Sequence, residues 1–320
     1  MKKIISPILC VTAAILWGFS FVAQKATTVV PTFTLLFSRS IVAVCFLVPA
    51  VMAFDKLSKN GRTLISLKEK KIGITKGELL GGTLCGAFLF TASALQQAGI
   101  ANTDAGKTSF ITALYVVIVP VYALVLGKKS PMNAWIGIGI AVVGFYLLCI
   151  KEDFTIAPSD LLVFACAFAF ALQIVTVDML LPTCDGVRLS LVQFSAVTVF
   201  SLGGALIFEL PFIFSGILSV LPEILYLGIG SSGIAYTLQI VGQKDSDPAV
   251  ASILLSLESV FGALFSAMFL SERMSAKEYT GCAVVLVAVI ISEVDIKTLI
   301  QKIKLSRSKS KEDITENTEA

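Results

Sequence analysis

The chain has 320 residues, of which 56% are hydrophobic and only 15% are charged, and its mean hydropathy is +0.89. This composition excludes an ordinary soluble domain, in which roughly 25% of residues are charged. The chain contains no His, which excludes His-based metal sites and Ser-His or Cys-His nucleophile pairs. The net charge of +3 does not indicate a nucleic-acid partner, because the basic residues border apolar segments and orient them in a membrane.

Ten apolar segments follow one another along the chain. A hydrocarbon layer about 30 Å thick needs roughly 20 mostly apolar residues per helical span, and each segment approaches or exceeds that length. The predicted spans are 6–24, 32–54, 77–99, 104–126, 131–150, 159–181, 188–210, 220–242, 248–270 and 276–295. The sequence therefore predicts an all-α integral membrane protein with ten transmembrane helices. A polar tail at 297–320 is predicted to be disordered, because its composition cannot form a core.

The positions of Lys and Arg predict the orientation of these spans. If the N-terminus lies in the cytoplasm, most of the 25 basic residues fall on the cytoplasmic side, which is the positive-inside pattern. An even number of spans then returns the C-terminus to the same side. We therefore expect a multi-pass protein of a bacterial plasma (inner) membrane, in contact with membrane lipids, with both termini cytoplasmic. No feature of the sequence specifies an oligomeric state.

Two stretches of the chain repeat at one fixed distance of 143 residues. The first copy is Leu95, Gln96, Gly99, Asp104, Ser109 and Leu114, and the second is Leu238, Gln239, Gly242, Asp247, Ser252 and Leu257. About five predicted spans fit into this interval, and an odd number turns the second copy upside down in the membrane. The sequence thus predicts two inverted five-helix repeats, 1–150 and 151–296, an architecture typical of secondary transporters.

Several motifs along both halves resemble one known family. They are the stretches 16–21 (LWGFSF), Arg39, 105–115, 169–178, 236–239, 256–260 and 271–273. Taken in order, they identify a chain similar to the EamA-like branch of the drug/metabolite transporter superfamily, whose members are ten-helix exporters. The family usually has Pro after the Glu of the ninth span, where this chain has Ser259. That departure predicts a straighter ninth span here.

The resemblance implies a secondary-active transporter that exports or exchanges small metabolites, such as amino acids or related compounds, by alternating access. It implies a small-molecule substrate, no enzymatic activity, and neither a cofactor nor a metal. The family's cavity lies at the midplane between the two repeats. A membrane channel and a non-transporting membrane receptor are the alternatives.

Two ionisable residues fall deep inside predicted spans. Glu258 lies 11 residues beyond Asp247, about 16 Å along the helix at 1.5 Å per residue. Arg39 lies seven residues into the second span, about 10 Å deep by the same rise. A charge at the bilayer centre costs at least about 2.5 kcal/mol, so each needs a partner or a wet cavity. We expect Glu258 either to carry a proton or to be satisfied by a hydroxyl or backbone group of a neighbouring helix. We expect Arg39 either to bind a substrate anion or to form a permanent ion pair with Glu258 or another helix.

Other polar and aromatic residues are candidates for the substrate-binding wall. Lys107, one turn into the fourth span, is either a cavity cation near the outer gate or a side chain that snorkels to the headgroups. The amides are expected to bind substrate or to join helices, and the aromatic rings to line a cavity or simply to pack. These candidates are Trp17, Gln96, Tyr115, Gln173, Tyr236 and Gln239. Asp104 and Asp247 begin spans, where we expect them to cap helix N-termini.

Overall fold

The computed structural model describes residues 2–59, 74–149, 157–210, 216–244, 246–270 and 274–293. The predicted disordered tail 297–320 and the motif 271–273 lie outside these residues. Every regular element in the described ranges is helical. The α-helices are α1 Lys2–Ala26, α2 Thr32–Lys59, α3 Lys76–Ile100, α4 Ala105–Ala113, α5 Tyr115–Val125, α6 Met132–Cys149, α7 Pro158–Leu180, α8 Gly186–Phe208, α9 Leu221–Leu225, α10 Tyr236–Gln243, α11 Pro248–Leu255, α12 Glu258–Phe269 and α13 Ala276–Glu293. A π-helical segment, Tyr226–Ala235, joins α9 to α10.

Eight helical segments within the described ranges are long and apolar enough to cross a membrane. They are Ile5–Val29, Thr32–Lys56, Lys76–Ile100, Ala105–Val125, Pro158–Leu180, Gly186–Phe208, Ile217–Gln243 and Pro248–Phe269. A shorter apolar helix, Met132–Leu147, lies within α6. The prediction of an all-helical membrane fold is therefore confirmed, whereas the count of ten spans in two inverted repeats stays a prediction.

Polar contacts at both ends of α2 and α8 show that these two helices pack antiparallel. At one end, Arg188 at the start of α8 forms an ion pair with Asp55 near the end of α2, with a distance of 2.7 Å. At the other end, Glu209 after α8 accepts hydrogen bonds from the amides of Phe33 (2.6 Å) and Thr34 (2.7 Å) at the start of α2. These bonds satisfy amides that the first turn of a helix leaves unpaired.

The two ends of the bundle are defined by helix termini that meet. We call the end at which α1 begins the N-terminal face, and the other end the opposite face. On the N-terminal face, the Ser6 hydroxyl of α1 donates a hydrogen bond to the carbonyl of Gly242, near the end of α10. On the opposite face, the end of α3 approaches the start of α7 so closely that a Cβ at Gly99 would lie 2.9 Å from the carbonyl oxygen of Ser159.

Two of the predicted spans are interrupted near their middles. The fourth breaks at Leu114, between α4 and α5, and the ninth breaks at Ser256 and Leu257, between α11 and α12. The ninth span is thus interrupted without a Pro, and its being straighter than in relatives stays a prediction. The hydroxyls of Ser256 and Ser259 bond to carbonyls three residues earlier, at 2.7 Å each. Such local bonds compete with the helical ladder, and these two flank the interruption of the ninth span.

Candidate functional site

A narrow cavity lies in the centre of the bundle, beside both helix interruptions. The cavity has a volume of about 20 Å³ and can hold one or two water molecules. The lining residues are Trp17, Ser20, Phe21, Gln24, Arg39, Gln96, Thr112, Tyr115, Phe170, Gln173, Ile174, Ser231, Tyr236, Gln239 and Glu258. Eight of the nine residues singled out from the sequence therefore share one cavity, and the ninth, Lys107, does not line it.

Arg39 brings a buried positive charge to this cavity. Its side chain is 6% exposed, and its Nε donates a hydrogen bond to the Ser232 hydroxyl at 3.2 Å. No carboxylate of the described residues lies within ion-pair distance of the guanidinium, so the alternative of a permanent ion pair with Glu258 is not realised in this structure. The two terminal nitrogens of Arg39 therefore have the geometry to bind a carboxylate or phosphate bidentately.

Glu258 brings a carboxyl group to the same cavity. It is the first residue of α12, where the helix dipole favours a negative charge, and it is 4% exposed. The Tyr115 side chain lies close enough to interact with it. Neither the Tyr115 hydroxyl nor Glu258 Oε1 completes a hydrogen bond of good geometry with a described residue. The carboxyl thus retains capacity to bind a proton or a ligand.

An aromatic wall lies beside these two charged groups. The rings of Trp17 and Tyr236 are 4.6 Å apart between centroids, and Phe194 meets Tyr236 edge to face at 5.4 Å. The Trp17 indole N–H donates to the Ser231 carbonyl at 3.2 Å. Ser231 and Ser232 both belong to the π-helical segment, so this irregular segment orients Trp17 as well as Arg39. Such segments are frequent at functional sites.

The predicted glutamines both join helices and line the cavity. Gln239 donates from Nε2 to Gln173 Oε1 at 3.1 Å, and Gln173 donates in turn to Gln193 Oε1 at 2.9 Å. Gln96 donates to the Thr112 hydroxyl at 3.0 Å. The Oε1 atom of Gln239 and the Nε2 atom of Gln193 are buried without a hydrogen bond. Because Gln239 lines the cavity, a polar solute there can satisfy its free Oε1 atom.

Lys107 and Asp160 form an ion pair on the opposite face. The distance from Lys107 Nζ to Asp160 Oδ2 is 2.6 Å, and Asp160 also accepts hydrogen bonds from the Thr103 hydroxyl and the Ala157 amide. Sequence reasoning overlooked Asp160. Its only signal is a single acid at the start of an apolar span, a position that also suits a helix N-terminus.

The two predicted helix caps differ. Asp247 accepts a hydrogen bond from the Ala249 amide at 2.9 Å, so the capping prediction is confirmed there. Asp104 occupies the equivalent position but makes no side-chain capping bond, so the same prediction is wrong for Asp104. Burial raises the pKa of the Asp247 carboxyl, and the neighbouring Asp178 carboxylate adds to the rise.

Matching contacts in the two halves reveal a second offset that sequence reasoning missed. A Cβ at Gly99 would collide with Val163 and Ser159 of α7, whereas one at Gly242 would collide with Cys10 and approach Ser6 of α1. Val163 lies 153 positions after Cys10, and Ser159 lies 153 positions after Ser6. Applied to the cavity, this offset pairs three lining residues of α1 with three of α7, namely Trp17 with Phe170, Ser20 with Gln173, and Phe21 with Ile174.

No group of His, Cys, Asp and Glu able to hold a metal ion occurs in the described part of the chain. The cavity instead offers one guanidinium, one carboxyl, several amides and hydroxyls, and aromatic faces. Sites for small organic solutes combine such polar groups with apolar and aromatic surface.

Comparison with known proteins agrees with this arrangement. The model of the EamA-like transporter family matches the chain twice, over residues 4–150 and 157–293. An "Uncharacterized transporter" of Archaeoglobus fulgidus is 27% identical over 296 residues, which cover 91% of this chain and 86% of that relative. A solved structure described only as "Crystal structure of protein" superposes with a TM-score of 0.72 at 17% identity, over 90% of this chain and 96% of that one. At that identity the last likeness shows the fold alone.

Proposed function

Because the chain belongs to the EamA-like transporter family, we propose that this membrane transporter is secondary-active and exports or exchanges small metabolites by alternating access. The observation that carries the proposal is the central cavity, in which Arg39 and Glu258 are both buried and not paired with each other. Two such charges in an apolar bundle are costly unless a ligand or a proton compensates them.

The chemistry of the cavity favours amino acids or related compounds as substrates. A zwitterion carries a carboxylate for Arg39 and an ammonium group for Glu258, and so compensates both buried charges at once. The Trp17 and Tyr236 rings offer an apolar and cation-binding wall, and the unsatisfied amides offer further hydrogen bonds. Each of these groups lines the same small space.

The repeat-related contacts support two inverted five-helix repeats, 1–150 and 151–296, with ten spans in total. Gly99 with α7 and Gly242 with α1 are equivalent contacts that lie at opposite faces of the bundle, as an inversion requires. The distribution of Lys and Arg supports cytoplasmic termini, which makes the N-terminal face the cytoplasmic one. We place the protein in the plasma membrane of a bacterium.

The small size of the cavity favours a carrier over a channel. At about 20 Å³, the cavity holds a water or two and not a metabolite, so a solute requires movement of the surrounding helices. The two interrupted spans and the π-helical segment line this space, and discontinuous helices at the midplane are typical of alternating-access carriers.

A liposome experiment tests the proposal. Purified protein is reconstituted, preloaded with an unlabelled mixture of the twenty amino acids, and diluted into a radiolabelled trace of the same mixture. A carrier gives saturable uptake with counterflow overshoot, whereas flux without saturation or counterflow identifies a channel. Binding without flux, measured as a thermal shift, identifies a receptor. Phe164→Leu serves as a control variant, because Phe164 is 43% exposed on the outside of the bundle.

A further inference from the structure

Lys25 and Asp178 hold equivalent positions in the two halves, near opposite faces. The offset of 153 that pairs Ser6 with Ser159 and Trp17 with Phe170 also pairs Lys25 of α1 with Asp178 of α7. Each lies in the last turns of its helix, Lys25 next to Ala26 and Asp178 two residues before Leu180. Position and depth are thus the same, while the charge is opposite.

At the opposite face, Lys25 ties α1 to the turn that follows α3. Its Nζ donates hydrogen bonds to the carbonyls of Ile100 (2.9 Å), Ala101 (3.3 Å) and Thr103 (3.0 Å). These carbonyls belong to the C-terminal end of α3 and the turn after it, where the helix dipole attracts a cation. A single side chain therefore holds α1 against the connection between α3 and α4.

At the N-terminal face, Asp178 lies beside the equivalent turn but makes different contacts. A carboxylate cannot accept a bond from carbonyls, and Asp178 instead forms an ion pair with Lys128, which follows α5. This ion pair joins the end of α7 to the residues after α5 at the N-terminal face.

Resting on the proposed function, we propose that Lys25 and Asp178 are the two latches of the transport cycle. Lys25 holds the opposite face closed by binding the end of α3, and Asp178 holds the N-terminal face closed by binding Lys128. The substrate path opens at one face when its latch releases.

A cysteine inside the cavity reports which latch is released. Ser20 lines the cavity, and Ser20→Cys in a background without the other cysteines adds a thiol of nearly the same size. A membrane-impermeant methanethiosulfonate is applied to spheroplasts and to inside-out vesicles, and a tag at the amino terminus identifies which preparation exposes the N-terminal face. The labelling rate from each face is compared with the rate in the same background without further changes.

The proposal gives opposite results for the two latches. Lys25→Met is expected to raise labelling from the opposite face by about fivefold or more, and Asp178→Asn to do so from the N-terminal face. Lys25→Arg and Asp178→Glu keep the charges and should leave both rates near the reference. Unchanged labelling at the named face, or an equal rise at both faces, overturns the proposal.

An exchange of charges keeps the test decisive if a single variant fails to fold. Lys128→Asp combined with Asp178→Lys restores an ion pair with the charges exchanged, so labelling from the N-terminal face should fall to the reference rate. Labelling that stays as high as in Asp178→Asn overturns the latch role of this pair. Counterflow by the unmodified protein is measured separately, so a failed latch and a failed transport function give different results.

Discussion

Tyr115 and Glu258 are separated by the repeat distance of 143 residues, and each begins the second half of an interrupted span. Their side chains interact with each other in the central cavity. In the proposed inverted arrangement, equivalent residues of the two repeats meet only where the symmetry axis passes. The site is thus symmetric in backbone and asymmetric in chemistry, with a phenol on one side and a carboxyl on the other.

This asymmetry predicts that only the carboxyl couples transport to protons. Glu258→Gln keeps the shape of the side chain and removes the exchangeable proton. We expect it to lower pH-driven accumulation in liposomes by at least about tenfold, because an amide cannot accept and release the coupling proton. Counterflow should persist with a weaker apparent affinity, since the amide carries no charge to pair with an ammonium group of the substrate. Tyr115→Phe is the matched change on the other repeat and should retain pH-driven accumulation. Unchanged accumulation by Glu258→Gln would rule out proton coupling through this residue.

Arg39 is predicted to set affinity for the anionic group of the substrate. Arg39→Gln removes charge-assisted hydrogen bonds worth about 1.5–3 kcal/mol, so the apparent affinity should fall by roughly 10- to 100-fold. Arg39→Lys keeps the charge but not the bidentate geometry and should give an intermediate loss. The measurement is the concentration dependence of counterflow. Equal affinity in all three proteins would mean that Arg39 serves only to hold the π-helical segment through Ser232.

The sequence predicted the membrane fold. Eight of the nine residues proposed from the sequence also line the cavity, because charges and amides inside apolar segments are conspicuous. It did not predict the interruptions at Leu114 and Leu257, since no Pro or Gly adjoins either position in the sequence. It also missed Ser20, Phe21 and Phe170, which look like ordinary residues of an apolar helix. Their place in the cavity follows from packing, which periodicity alone does not specify.

Gly262 is predicted to be needed for the close packing of α12 against α4. A Cβ at this position would lie 2.6 Å from Ser109 of α4, so α12 and α4 can approach only because the side chain is absent. Gly262→Ala should therefore lower the thermal midpoint by several degrees, since overpacking costs about 1–3 kcal/mol. Gly139→Ala is the control, because nothing lies within 4 Å of a Cβ there. A similar midpoint for the two variants would contradict the close packing.

Asp247 is predicted to make stability depend on pH. Its pKa is raised in the folded protein, so the folded state binds more protons than the unfolded state between the ordinary value of about 3.9 and the raised one. The contribution of Asp247 to stability is therefore present below that window and is lost as the pH rises through it. Asp247→Asn keeps the capping oxygen and removes the titration. The difference in thermal midpoint between the two proteins should change across this window, and a constant difference would contradict the prediction.

The inverted arrangement makes a last prediction about Gln96 and Gln239. They are equivalent in the two repeats, and both line the cavity, but Gln96 precedes the end of α3 at the opposite face and Gln239 precedes the end of α10 at the N-terminal face. Single cysteines at these positions, in a background without other cysteines, should react with an impermeant reagent from opposite sides of the membrane. Two parallel repeats would instead place both cysteines on the same side. Same-sided labelling would therefore contradict the inversion and, with it, the symmetric pairing of Tyr115 with Glu258.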